Sequence, residues 1–248
     1  MDKERENPVS WGKLKLGPYE VDMLDKIGQG SYGVVYRGRD TIKDNIIAAK
    51  QCDVKSDKTG ADAMVEIKHF QSVQNHPHIV ALLDFHYKEN AIWMIMEYCD
   101  AGDLENYFIK HSPDMTEQVN IMYQSATAVS YMHCQVNTMV HRDLKPGNIL
   151  MKMYKGQAIV KVTDFGLSKI VESGGPMKSL MCTTRAGTPG FMAPEFFLNL
   201  KHEKSVDVFA LGLVYLAMLV FNPGEDSLVP VVGKYFFVTS KVFFFCKM

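Results

Sequence analysis

The chain has 248 residues, of which 47% are hydrophobic and 22% are charged, and its formal net charge is −1. This apolar fraction excludes a disordered chain, and the charge balance argues against a nucleic-acid partner bound through a broad basic field. Five scattered cysteines without CxxC spacing, together with a charged N-terminus that predicts no signal peptide, favour the reducing cytoplasm, with the nucleus left open.

The residue pattern predicts four segments in chain order. A polar, loose leader is expected over 1–18. Residues 19–99 are mainly β-branched and aromatic runs bounded by turn residues, which predicts strands, and helical spacing over 61–74 interrupts them with one helix. Residues 100–221 are mainly helical, and 222–248 form a divergent hydrophobic tail.

Three helices are expected in the second half of the chain. A short helix surrounds 106–108, and Thr116 is the candidate N-cap of a long helix that runs to His133. The run 211–221 is apolar over 11 residues. A membrane span needs ~20 such residues, so this run predicts a central buried helix and no span.

A glycine-rich segment is the first motif with chemical content, and it reads Gly28-Gln29-Gly30-Ser31-Tyr32-Gly33. Alone, such a pattern is weak, because glycines also make ordinary turns. A dinucleotide-binding fold requires a helix to open at the last glycine. Here an alternating strand follows instead, so the pattern favours a hairpin whose backbone amides cover phosphates.

A lysine within an apolar strand is the second motif. Lys50 ends the run Ile47-Ala48-Ala49, where an ammonium group is costly unless it meets an anion. Glu66, on the early helix, is the expected carboxylate partner. The alternative is a surface lysine on an edge strand.

The strongest motif is His141-Arg142-Asp143-Leu144-Lys145-Pro146-Gly147-Asn148, followed by Asp164-Phe165-Gly166 and Ala193-Pro194-Glu195. In this order, and with the glycine loop and the lysine, the sequence resembles the eukaryotic protein kinase family over about 19–221. The resemblance implies an α+β fold with two lobes. A small β-rich N-lobe (19–99) would carry one main helix, and a mainly helical C-lobe (100–221) would lack its last helices.

The resemblance implies phosphoryl transfer from ATP with Mg²⁺. Asp143 would accept or orient the proton of the substrate hydroxyl, and Lys145 would stabilise the γ-phosphate. Lys50 would bind the α- and β-phosphates, oriented by Glu66. Asn148 and Asp164 would bind Mg²⁺ through an amide oxygen and a carboxylate. The remaining nucleotide contacts are expected from Gly28, Gln29, Gly30, Ser31, Tyr32, Gly33, Val35, Ala48, Met96, Glu97, Cys99, Asp103 and Leu150.

Two segments resemble the serine/threonine branch of the family. Lys145 stands where that branch has lysine, and Gly187–Glu195 resembles its GTPxYMAPE segment. Thr188 would contact Asp143 and Lys145 and favour a Ser or Thr acceptor, so the implied partner is a protein substrate. Arg142 beside the catalytic aspartate resembles kinases that are switched by loop phosphorylation, which implies an activating kinase or autophosphorylation at Thr183 or Thr184.

The resemblance is weakest at the end of the chain. Asp207 resembles the family residue that receives backbone amides of the catalytic loop, but the family continues with further helices and with an arginine that pairs with Glu195. No arginine follows Arg185, and five of the 14 phenylalanines lie in the final 13 residues. Two functions therefore stay open: an active serine/threonine kinase, or a truncated, catalytically weak nucleotide-binding or scaffolding isoform.

Overall fold

The computed structural model describes residues 12–30, 33–171, 188, 190–197, 204–222 and 227–228. The chain has an α+β fold and divides into two compact units. The first unit contains residues up to 64 and 82–98, and the second contains 65–81 and the residues from 99 onwards.

The first unit is built on one antiparallel sheet of six strands in the order β1-β2-β3-β4-β6-β5. Its strands are β1 (Lys13–Leu16), β2 (Tyr19–Gly30), β3 (Gly33–Asp40), β4 (Asn45–Asp53), β5 (Leu82–Lys88) and β6 (Ala91–Glu97). Alternate side chains of a strand point to opposite faces, and the buried face gathers Val21, Ile47, Trp93 and Ile95 into one core. Gly30 at the end of β2 pairs with Gly33 at the start of β3, so the described glycines of the glycine-rich segment belong to a hairpin, as its pattern predicts.

The loose leader expected over 1–18 differs from the structure in its second half. Lys13–Leu16 pairs with β2, and the side chains of Leu14 and Leu16 are buried in the sheet core. Lysine and leucine alternate over Lys13–Leu16, which is the pattern of a strand with one buried face. This alternation is only four residues long and lies between two glycines, so it is a weak signal in the sequence. Residues 1–11 lie outside the described part of the chain.

Gly33 cannot be replaced without strain in the hairpin. Its φ is +146°, and a Cβ atom there would lie 2.0 Å from the carbonyl oxygen of Gln51. We expect Gly33→Ala to lower the free energy of unfolding by about 1–3 kcal/mol, because β3 must move away from β4. Urea unfolding of Gly30→Ala is the matched control, since a Cβ at Gly30 meets nothing within 4 Å. Equal losses in the two variants would contradict this prediction.

Helix α1 (Asp57–Ser72) starts earlier than the expected 61 and belongs to both units. Its second half is assigned to the second unit because Ile67 and Phe70 are buried there, and the Phe70 ring packs edge-on against Phe165 at 4.7 Å. The following segment also pairs with that unit, since Val80 N donates to the Val162 carbonyl at 2.9 Å. The N-lobe is expected to be one continuous segment, 19–99, whereas residues 65–81 belong to the second unit.

The second unit combines helices with short strands. Its helices are α2 (Leu104–His111), α3 (Met115–His133), α4 (Pro194–Phe197) and α5 (Ser205–Val220). Its strands are β7 (Thr138–Val140), β8 (Ile149–Tyr154), β9 (Gln157–Val162) and β10 (Lys169–Val171), in the antiparallel pairs β7–β10 and β8–β9. These four short strands are absent from the sequence-based expectation, and they position the loops described below.

The N-cap of helix α3 lies two residues earlier than expected. Asp114 is the N-cap, and its Oδ1 accepts a hydrogen bond from Glu117 N at 2.8 Å, which satisfies one of the free amides of the first turn. Thr116 lies inside the helix. Helix α5 is buried along most of its length, as its apolar run predicts. Within the described residues, no helix has the length and apolarity that crossing a bilayer requires.

Candidate active site

A buried aspartate fixes the backbone of the loop that follows β7. The Oδ2 atom of Asp207, in the first turn of α5, accepts hydrogen bonds from His141 N and His133 Nε2, each at 2.8 Å. Its Oδ1 atom accepts one from Arg142 N at 2.8 Å. Arg142 has a left-handed backbone with φ of +70°, a conformation that costs free energy for any residue with a Cβ. The hydrogen bond from its amide to Asp207 helps to stabilise this conformation. The contact predicted for Asp207 is confirmed.

His141 connects this loop to the segment that precedes Asp164. Its Nδ1 atom accepts a hydrogen bond from Asp143 N at 3.3 Å, so the proton of the neutral ring is on Nε2. That Nε2–H donates to the Thr163 carbonyl at 2.9 Å. The buried imidazole therefore sets the spacing between Asp143 and Asp164.

The side chain of Asp143 is nearly buried and is oriented by donors on both oxygens. Lys145 Nζ donates to Oδ2 at 2.9 Å and Asn148 Nδ2 donates to it at 3.0 Å. Thr188 N donates to Oδ1 at 3.1 Å, and Lys145 Nζ also donates to Thr188 Oγ1 at 2.8 Å. The predicted contacts of Thr188 with Asp143 and Lys145 are confirmed. The result is one fixed carboxylate with an ammonium group beside it.

Asn148 and Asp164 have the donor atoms that a magnesium ion prefers. Asn148 Nδ2 donates to the carbonyl and the carboxylate of Asp143, so its Oδ1 oxygen is the amide atom that remains to bind a cation. Asp164 supplies a carboxylate from a left-handed backbone with φ of +65°. Among the described residues, no three His, Cys, Asp or Glu side chains are grouped as metal ligands. This pair fits a hard cation that keeps waters and shares phosphate oxygens.

In the first unit, strand register brings five of the predicted nucleotide residues to one face of the sheet. Gly28 pairs with Val35, and Val35 pairs with Lys50. Ala48, two residues before Lys50 and thus on the same face, pairs with Met96. Five residues that are far apart in sequence therefore form one continuous surface.

Other predicted nucleotide residues are placed differently. Gln29 is on the opposite face of the hairpin, where Lys26 Nζ donates to its Oε1. Glu97 is the last residue of β6, and Cys99 is half-buried in the second unit. Ser31 and Tyr32 lie outside the described residues.

In the second unit, Asp103 and Leu150 are neighbours in an isolated antiparallel bridge, and Leu150 is half-buried. Asp103 is the N-cap of α2. Its Oδ1 accepts from Asn106 N at 2.8 Å, and both of its oxygens accept from Asn106 Nδ2 at 2.9 Å. The expected contact of Asp103 with a ribose therefore competes with an established structural role.

The ion pair expected between Lys50 and Glu66 involves one residue of each unit. Lys50 is buried on β4 in the first unit. Glu66 is buried on α1, in the second unit. Charged groups are rarely buried unless they are paired, so the burial of Lys50 and of Glu66 indicates that each side chain has a polar partner.

Thr183 and Thr184, the expected phosphorylation sites, are outside the described part of the chain.

A small pocket lies directly beside Asp143 in the second unit. Apolar side chains line it together with the polar residues Arg142, Asp143 and Thr188. The lining residues are Arg142, Asp143, Leu144, Thr188, Phe191, Met192, Ala193, Val206 and Ala210.

Comparison with known proteins agrees with this geometry. The family described as protein kinase domain matches residues 21–225. The chain belongs to the eukaryotic protein kinase family. One curated relative, the serine/threonine-protein kinase ULK1 of Homo sapiens, is 30% identical over 230 residues, which are 89% of this chain and 21% of the relative. This kinase chain thus spans about a fifth of the relative's length, and its motifs and this likeness agree with the serine/threonine type.

Two histidines of this kinase domain have roles that the sequence pattern does not reveal. His133 was expected only as part of the apolar face of α3, but its Nε2 donates to Asp207. His69, on the last turn of α1, is buried with its Nδ1 3.3 Å from the Phe165 carbonyl. A histidine at a core position of an amphipathic helix is the only signal for either role, and it does not name the partner.

One buried histidine, His69, and two half-buried ones, His76 and His78, make the stability of this kinase domain depend on pH. Desolvation, above all, lowers the pKa of His69, His76 and His78 below the ordinary value of about 6.5. Below that value the unfolded chain binds more protons than the folded chain, so stability falls as pH decreases. We expect the Tm to be constant above about pH 7.5 and to decrease towards about pH 5.5. His78→Gln should reduce this slope, and an unchanged slope would contradict the assignment.

Proposed function

We propose that this kinase domain is a catalytically active serine/threonine kinase, which transfers the γ-phosphate of ATP to Ser or Thr hydroxyls of proteins with Mg²⁺. One observation supports this proposal above the others: the carboxylate of Asp143 is oriented by Lys145, Asn148 and Thr188 at 2.9, 3.0 and 3.1 Å. A chain that only binds a nucleotide has no need for a fixed proton acceptor beside a cation.

Asp143 and Lys145 would act on the two reacting groups. Phosphoryl transfer depends mainly on positioning and on neutralisation of negative charge. An oxygen of Asp143 would accept a hydrogen bond from the acceptor hydroxyl and take its proton as the bond to phosphorus forms. The ammonium group of Lys145, 2.9 Å from Asp143, would stay near the transferred phosphoryl group and reduce its charge.

The nucleotide would be bound by the residues that the kinase motifs assign to it. Gly28, Val35, Ala48 and Met96 would provide a largely apolar face for the base and backbone groups for the phosphates, and Lys50 would provide a cation on the same face. Glu66 would orient Lys50. Asn148 and Asp164 would bind Mg²⁺, which neutralises phosphate charge when it is bound.

The acceptor preference would come from Thr188. Its hydroxyl and amide face Lys145 and Asp143, and it lines the small pocket with Phe191 and Met192. With Thr188 held against Asp143 in this way, a short Ser or Thr side chain would bring its hydroxyl to the carboxylate. A longer tyrosine side chain would carry its hydroxyl past it.

The test uses the purified chain with Mg-ATP and a generic basic protein as substrate. We expect transfer of phosphate to serine and threonine, and loss of transfer in Asp164→Ala. Asp62→Ala, which changes an exposed aspartate on α1, is the matched control and should retain activity. Transfer that survives in Asp164→Ala would contradict the proposal.

A second outcome of the same experiment would favour the nucleotide-binding or scaffolding alternative. In that case Mg-ATP would raise the Tm of the wild-type chain, and no phosphate would be transferred to any substrate. Asp164→Ala would then abolish the increase in Tm, and neither the wild-type chain nor the variant would transfer phosphate.

Regulation by phosphorylation at Thr183 or Thr184, by another kinase or in the same chain, belongs to this proposal. Arg142, next to Asp143, is the residue expected to bind the phosphate. Undiminished activity in the variant with both threonines replaced by alanine would overturn it. The proposed compartment is the cytoplasm, and the location of a fluorescent fusion would test it.

A further inference from the structure

We infer that His69 is a positioning residue that fixes Asp164 in its cation-binding orientation. The inference rests on the proposed function of Asp164. His69 and Asp164 belong to the same compact unit. The ring of His69 is buried, and its Nδ1 atom is 3.3 Å from the Phe165 carbonyl oxygen. Because a carbonyl oxygen only accepts, Nδ1 carries the proton and donates it.

The carbonyl groups of the two residues next to Asp164 are each bound by a histidine. On one side, His141 Nε2 donates to the Thr163 carbonyl at 2.9 Å. On the other side, His69 Nδ1 donates to the Phe165 carbonyl at 3.3 Å. The two donors come from different elements, the loop after β7 and helix α1, so the segment is held from both directions.

Asp164 needs such support because its backbone is left-handed. Its φ is +65° and its ψ is 73°, which costs free energy for any residue with a Cβ. The Phe165 carbonyl also accepts from Ser168 N at 3.0 Å, and this bond closes the short 3-10 turn that follows. Without the bond from His69, only the bond from Ser168 N among these two would hold the Phe165 carbonyl, so the Phe165–Gly166 peptide group could rotate and loosen the turn that begins at Asp164.

Packing keeps His69 in place. Its neighbour Phe70 contacts the Phe165 ring edge-on at 4.7 Å, and the His141 ring contacts Phe165 at 5.3 Å. The aromatic contacts fix the side chain of Phe165, and the imidazole fixes its carbonyl. A leucine at position 69 would preserve the apolar packing and remove only the donor.

The test compares four chains. His69→Leu removes the donor, and His69→Asn restores an N–H at the position of Nδ1, because both nitrogens are bonded to Cγ. His78→Leu is the matched control, since the Nδ1 of His78 makes an equivalent bond to the Val160 carbonyl at 3.2 Å, away from Asp164. Each chain is examined by the Mg²⁺ midpoint of ATP-dependent thermal stabilisation, by KM and kcat for the protein substrate, and by hydrogen exchange of residues 163–168.

We expect the Mg²⁺ midpoint of His69→Leu to rise ~10-fold, as for other residues that orient a metal ligand, with faster exchange at 163–168 and an unchanged KM for the protein substrate. His69→Asn should return both quantities towards those of the wild type, and His78→Leu should leave them unchanged. A wild-type midpoint and exchange rate in His69→Leu, or equal changes in His78→Leu, would overturn the inference.

The exchange measurement separates this inference from the proposed function. If the wild-type chain neither binds Mg-ATP nor transfers phosphate, the proposed function fails. Faster exchange in His69→Leu that is restored in His69→Asn would still support positioning by His69, and unchanged exchange would refute it. Should His69→Leu fail to fold, His69→Gln replaces it, because the Gln amide takes the position of Nε2 and cannot supply the donor at Nδ1.

Discussion

Asp143→Asn should reduce the rate of phosphate transfer by about 10²–10⁴, because the amide cannot take a proton from the acceptor hydroxyl. The substitution keeps the shape of the side chain, but an NH2 group replaces one of the two oxygens. The replaced oxygen now accepts hydrogen bonds either from Lys145 and Asn148 or from Thr188, and the NH2 group can only donate. Steady-state kinetics should show the loss in kcat, with the KM for ATP little changed.

The matched control for Asp143→Asn is Asp100→Asn in the same unit. The Oδ1 atom of Asp100 accepts a hydrogen bond from Met153 N at 2.8 Å. Within the described part of the chain, Asp100 has no hydrogen bond to residues 141–148. We expect its kcat to stay near that of the wild type. Comparable losses in both variants would mean that the effect of Asp143→Asn comes from folding and not from proton transfer.

Asp207→Ala should lower the free energy of unfolding by about 3–5 kcal/mol, because it leaves buried donors without an acceptor. Three N–H groups now donate to this carboxylate at 2.8 Å, from His133, His141 and Arg142. The left-handed backbone of Arg142 would also lose its support. Urea unfolding measures the loss, and activity should fall with it because the loop carries Asp143.

Asp114→Ala is the control for this prediction, since it also removes an aspartate from the start of a helix. Its Oδ1 caps α3 through Glu117 N at an exposed position, so a loss of only about 1 kcal/mol is expected. If Asp207→Ala cost no more than Asp114→Ala, the carboxylate of Asp207 would not be the support of the loop.

Local patterns predicted the elements whose signals lie within a few residues. The hairpin of β2 and β3 follows from glycines placed before an alternating strand, and α5 follows from an unbroken apolar run. The starts of helices were predicted less well. Thr116 and Asp114 are both suitable N-caps, and only the hydrogen bond to Glu117 N selects Asp114.

Other features needed contacts between distant parts of the chain. β1 is too short to show a clear alternation, and it is a strand because β2 pairs with it and the core covers Leu14 and Leu16. Asp103, expected at a ribose, is also the N-cap of α2, since its Oδ1 accepts a hydrogen bond from Asn106 N. The second half of α1 joins the second unit because Phe70 packs on Phe165 there.

The sequence by itself determined the family of this protein and the chemical types at its candidate site, because the motifs of Asp143, Asn148 and Asp164 are defined by short spacings along the chain. Tertiary structure decided which groups hold those residues. Asp207 is 66 residues from His141, and His69 is 96 residues from Phe165. No periodicity or local preference specifies such pairs, since burial and hydrogen bonding select them only after the chain has folded.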